Sequence, residues 1–115
     1  MTADPVPARA FYEGTLGLRF VSQDRFAIVF ETHRSRLRVV ISESVVPASH
    51  TILGWTVLDV AAAVRALAES GVTFERYPGM QQDELGVWTS PSGARIAWFK
   101  DPDGNVLSLT QPPAV

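Results

Sequence analysis

Few side chains in this sequence of 115 residues can do chemistry. Its two histidines are His33 and His50. His50 stands just before an apolar run, and a near-neutral imidazole suits a general base or a lone metal ligand. On a strand it would share a face with Ile52, two residues on. It reads equally as an exposed side chain ending the linker that holds Pro47. His33 lies in the polar stretch Thr32-His33-Arg34-Ser35-Arg36, which reads as a hairpin loop. Arg34, Arg36 and Arg38 either hold an anion or are ordinary solvated charge. Ser108 is a hydrogen-bonding group and not a nucleophile, because no histidine or acid lies near it in sequence. Tyr77, Met80, Trp88 and Trp98 offer rings and a thioether to an apolar ligand pocket. Trp55 and Trp98 suit a core as well, and Trp55 should face the helices.

Several chemistries are excluded. With no cysteine there is no disulfide framework, thiolate metal site or cysteine nucleophile. No strand, glycine loop and helix occur together as a phosphate cradle. A net charge of −2 and an isoelectric point near 5.6 argue against a nucleic-acid partner. The apolar runs fall far short of the ~20 residues that span a bilayer. No secretory signal opens the chain, so a cytoplasmic protein is expected, with neither membrane nor nucleic acid as partner.

The elements that would position these residues follow from periodicity and punctuation. Asp4-Pro5 starts a helix that stops at Gly17. Strands are expected at Leu18–Ser22, Phe26–Phe30 and Leu37–Ser42, then a linker to Ser49. Thr51–Leu58 is a strand. Asp59 caps a helix at Val60–Ser70 whose core stripe is Val60, Val64, Leu67 and Ala68. Val72–Arg76 is a strand, Tyr77–Leu85 an irregular segment and Gly86–Thr89 a short extended piece. Arg95–Lys100 and Val106–Thr110 are strands joined by the tight turn Asp101-Pro102-Asp103-Gly104.

This order of elements repeats. Phe30 with Leu37–Val40 parallels Phe99 with Val106–Leu109 at an offset of 69, and Gly17–Phe20 parallels Gly71–Phe74 at an offset of 54. A βαβββ unit is therefore used twice, in one domain over 1–115: module one 1–43, linker 44–49, module two 50–111 and tail 112–115. Only Met1-Thr2-Ala3 precede Asp4, so module one lacks most of its opening strand. Three regular strands are expected in the first half and four in the second. The sheet edge so exposed must be covered by Met1–Ala3 with the tail, by another strand, by residues upstream of Met1, or by a second copy of the chain.

The segments AFYEGTLGL (10–18), GWTVLD (54–59) and FKDPDGN (99–105) together resemble the vicinal oxygen chelate superfamily, the glyoxalase/bleomycin resistance/dioxygenase fold. The resemblance implies an α+β fold of two βαβββ modules forming a curved mixed sheet around a cavity, often in a homodimer. It also implies a metal held by a histidine in each opening strand and a carboxylate in each closing strand. Carried onto this chain, the second histidine position is Ile52 and one carboxylate position is Ser108. The other carboxylate position is Val39 at the offset of 69, or Arg38 after a shift of one. The first histidine position falls in the absent strand. None of these is a metal donor. No cofactor or metal is expected, and no catalytic residue is assigned. The leading expectation is a metal-independent protein binding an apolar or aromatic small molecule through His50, Ile52, Met80, Trp88, Trp98 and Ser108. One alternative is a glyoxalase-like or dioxygenase-like enzyme that recovers a site from His50 with carboxylates such as Glu31, Glu43 or Glu84, or from a partner chain. Another is a non-catalytic dimerisation or regulatory domain.

Overall fold

The computed structural model describes residues 1–114; Val115, the last residue of the expected tail, lies outside them. The fold is α+β, with seven strands and two helical elements among the described residues. The chain divides into two compact units, 1–47 with 101–104, and 48–100 with 105–114.

In the first unit, Asp4 accepts a hydrogen bond from the Val6 amide and caps α1 (Pro5–Arg9). The helix continues as a π-helical segment, Ala10–Thr15, and Gly17 follows at φ 74°. The π turn has a cause visible in the numbering. Asp4 to Gly17 is one residue longer than Asp59 to Gly71, its repeat. A π turn absorbs one extra residue in a helix. Strands β1 (Arg19–Gln23), β2 (Ala27–Glu31) and β3 (Arg36–Val40) form an antiparallel sheet in that order. Asp24 accepts from the amides of Phe26 and Ala27 to make the first turn, and these bonds hold its carboxyl below the usual range. Ala8, Tyr12, Ile28, Phe30 and Val39 form the core. Tyr12 packs at 5.7 Å from Phe30, and its hydroxyl donates to Asp101 Oδ2 at 2.7 Å. Asp101 opens the Asp101–Gly104 turn, which closes through Gly104 N and Asp101 O as expected.

The gap in the opening strand is partly filled. Thr2 pairs in parallel with Ile41, its amide donating to Val40 O and its carbonyl accepting from Ser42 N. Of Met1–Ala3, Thr2 makes this pairing, and it is fully buried.

In the second unit, β4 (Thr51–Thr56), β5 (Trp88–Thr89), β6 (Arg95–Lys100) and β7 (Val106–Gln111) form a sheet in the order β4-β7-β6-β5. Only the β4–β7 pair is parallel. Asp59 caps α2 (Val60–Glu69), and the Gln111 side chain accepts from the Val60 amide. Val60 and Val64 are buried, each worth about 1.5–3 kcal/mol. Leu67 is half-buried, but Ala68 is exposed and does not belong to the core stripe.

Three further expectations need correction. First, Val72–Arg76 is not a strand. It meets β6 through one bridge, Phe74 to Phe99, with Glu75 N donating to Trp98 O. Pro78, which has no N–H to give a ladder, follows closely. The edge of β6 is completed further on by β5, so the second sheet has four strands by a different route. Second, β4 ends at Thr56, and Leu58 is 98% exposed. Third, the offset between closing strands is 70. Phe30 pairs with Leu37, but Phe99 pairs with Leu107. The link between Lys100 and Val106 is one residue longer than that between Glu31 and Arg36. The register counterpart of Ser108 is therefore Arg38, and Val39 corresponds to Leu109.

Candidate functional site

Pairing fixes which side chains of the second unit share a face, since directly opposed residues point the same way. One face carries Ala97, Phe99, Leu107 and Leu109, all buried, with Leu53 and Trp55 paired beside the last two. Phe74 lies against Phe99 at 5.5 Å. This face receives α2, so Trp55 faces the helix as expected.

The opposite face is the candidate site. Gly54, Ser108 and Trp98 stand side by side in one row across β4, β7 and β6. Thr56, Thr110, Ile96 and Trp88 make the next row, across all four strands. Small and hydroxyl side chains thus form a floor, and indoles form a wall at one side. The Trp88 and Trp98 rings are 6.2 Å apart, tilted by 37°, and Tyr77 meets Trp98 edge-on at 5.5 Å. Partial burial, then the nearby Glu75 carboxylate, raise the Tyr77 phenol above its ordinary value. Glu75 is itself paired with Lys100 at 3.1 Å. Glycine at 54 makes room: a Cβ there would lie 2.5 Å from Ser108 Oγ. Any larger residue would displace the serine hydroxyl, a constraint the sequence does not display.

Of the six residues expected to line a site, Trp88, Trp98 and Ser108 come together here. Ile52 is 48% exposed at an irregularity between Thr51 and Leu53, on the side of β4 that carries Gly54. Met80 ends a turn in which its amide donates to Tyr77 O, and it is half-buried. His50 is exposed and precedes β4 without belonging to it. His33, Arg34 and Arg36 line a shallow, open depression on the β2–β3 hairpin, as a solvated loop would.

The ligand positions that the resemblance implies carry other chemistry here. The positions the resemblance assigns to ligands hold Ile52, Ser108 and, by register, Arg38. An aliphatic chain and a lone hydroxyl are poor donors, and a guanidinium repels a cation. Among the described residues no group of three or more His, Cys, Asp or Glu side chains is placed to hold a metal ion. Glu31 pairs with the exposed Arg19 at 3.2 Å.

The model of the glyoxalase/bleomycin resistance protein/dioxygenase superfamily matches residues 1–109. The chain belongs to this superfamily. Solved structures agree with that placement. A superfamily member from Sphaerobacter thermophilus is 25% identical over 96% of this chain and 90% of its own, with a TM-score of 0.72. TnmS3, an antibiotic binding protein from a Streptomyces strain, is 27% identical over 96% and 88%, also at 0.72. Lactoylglutathione lyase from Agrobacterium tumefaciens, 20% identical over 96% and 87% at 0.71, shares the fold. No curated protein matches the sequence. Among the described residues no helix is long and apolar enough to cross a membrane.

Proposed function

We propose that this superfamily member binds a small, largely apolar or aromatic molecule on the open face of its second unit, without a metal ion. The observation that carries this reading is the indole wall of Trp88 and Trp98 beside a floor of Gly54, Ser108, Thr56 and Thr110. A ligand site of this kind is apolar with a few polar groups that fix orientation. The likeness to an antibiotic binding protein supports the ligand class. Titration with N-phenyl-1-naphthylamine, an uncharged aromatic probe, tests the site. Saturable quenching of tryptophan fluorescence is expected, weakened at least tenfold in Trp98→Ala, on the order of the 1.4 kcal/mol that one ring contact contributes. Equal affinity in the variant would remove the site from this face.

A second copy of the chain is the partner that the first unit favours. The bonds Ile41 N to Phe26 O and Thr32 N to Ser35 O set the alternation along β3. They turn the main-chain groups of Arg36 and Arg38 away from β2, beyond the reach of the Thr2 bridge. In the second unit the corresponding edge of β7 is covered by the six residues of β4. Unpaired edges of this kind attract strands. Light scattering after size exclusion should give twice the 12.6 kDa chain mass; a monomer at micromolar concentration would refute the dimer.

A further inference from the structure

The segment between the bridge at Phe74 and strand β5 is built around one side chain, Gln82. Its Oε1 accepts from the Tyr77 amide at 2.8 Å. Its Nε2 donates to Glu75 O at 2.9 Å and to Gly86 O at 2.8 Å. The Gln82 backbone also bridges to Trp88. Each of these partners leads to a ring of the open face. Glu75 N donates to Trp98 O, Tyr77 carries the ring set against Trp98, and Gly86 lies two residues before Trp88. Gly86 is buried at φ 87°, with its would-be Cβ 3.4 Å from Phe74 Cβ, so the chain can turn there only as glycine.

We infer that Gln82 is the positioning residue of the aromatic wall. It touches no ligand in this scheme. It replaces the ladder that a continuous strand would have supplied, and holds Tyr77 and Trp88 at fixed distances from Trp98. The expected strand at 72–76 would have paired with β6 without interruption. Here the edge of β6 is shared by two separate pieces, and a primary amide is suited to join them because it offers one acceptor and two donors at once. Asp83 fastens the same loop, accepting from the amides of Leu85 and Val87. That bond set does not reach Tyr77, so Asp83 shapes the turn and Gln82 sets the rings. A prearranged wall spares a ligand the cost of ordering the side chains it meets. The inference rests on the open-face binding reading and deepens it.

The experiment compares wild type with Gln82→Met, which keeps the volume and removes all three bonds, and Gln82→Glu. Near-ultraviolet circular dichroism reads the packing of all the aromatic rings, and the part that Trp98→Ala removes reports the Tyr77, Trp88 and Trp98 arrangement; N-phenyl-1-naphthylamine titration reads the site. Gln82→Met is expected to lose the part of the aromatic dichroic signal that Trp98→Ala also removes and at least tenfold in probe affinity, with far-ultraviolet dichroism retained. Gln82→Glu is expected to regain signal as acid protonates the introduced carboxyl, which can then donate to a carbonyl; wild type shows no such recovery. Should Gln82→Met fail to fold, this pH-dependent recovery carries the test alone. Unchanged dichroism in Gln82→Met, or a Gln82→Glu signal indifferent to pH, would overturn the inference. Failure of the binding reading looks different: the probe would ignore Trp98→Ala while the dichroic changes persist.

Discussion

Phe99→Ala should cost about 3–5 kcal/mol of stability, the usual range for emptying a fully enclosed aromatic position. Phe99 is 0% exposed, with Phe74 against its ring. A margin of roughly 5–15 kcal/mol is typical of a domain, so the variant should melt far lower or fail to fold. Its neighbour Trp98 lies on the other face of β6 and is only half-buried. Trp98→Ala should therefore spare most of the stability and lose probe affinity instead. Thermal unfolding of both variants checks the pair. Equal destabilisation would mean that the two faces are not divided into core and site as described.

Asp101→Ala should destabilise the first unit by about 3 kcal/mol, because it leaves a buried phenol without its acceptor. Tyr12 is 4% exposed, and Asp101 is 6% exposed. Asp101 Oδ1 also accepts from Asp103 N and shapes the turn. The pair has a pH signature. Burial first, and the bond to Asp101 second, push the Tyr12 phenol well above its ordinary 10.0. A group raised in this way gives its full stability below the unfolded value. Above pH 10.0 the unfolded chain loses the proton that the folded chain keeps, and stability falls. Wild type should lose stability steadily above that pH in urea unfolding, and Tyr12→Phe should lack this component. Parallel curves for the two proteins would show that the phenol is not held in its neutral form.

Much of the fold was legible because its signals are local. Asp4 and Asp59 cap helices, Gly17 and Gly71 end them at positive φ, and Asp101-Pro102-Asp103-Gly104 turns the chain. The strand missing from module one was legible from the repeat, and Thr2 shows how little of its edge is covered. Register was not legible. The offset of 69 matches apolar residues to apolar residues, yet one extra residue in the second closing turn moves the true counterpart of Ser108 to Arg38. A period-two pattern cannot reveal a slip that aliphatic side chains tolerate on both sides. The strand expected at 72–76 failed for a related reason. Val72 and Phe74 alternate as a strand would, but the bonds that decide the path come from Gln82, and no local propensity announces them.

For the candidate site, residue type pointed to Trp88, Trp98 and Ser108, and strand register sets them in adjacent rows. His50 drew on its chemistry and on a strand face shared with Ile52, and it stands exposed just before β4. Gly54 carries no such signal in its residue type, because its role is to be empty beside Ser108 Oγ.

The claim on which the account turns is that the ligand positions of the fold carry no metal donors here. Titration of the purified protein with Zn²⁺, Ni²⁺ and Mn²⁺ by calorimetry, with elemental analysis of the same sample, tests it most directly. No stoichiometric metal site is expected, and probe binding should be indifferent to a chelator. One tightly bound metal ion per chain, with probe binding lost on chelation, would contradict it.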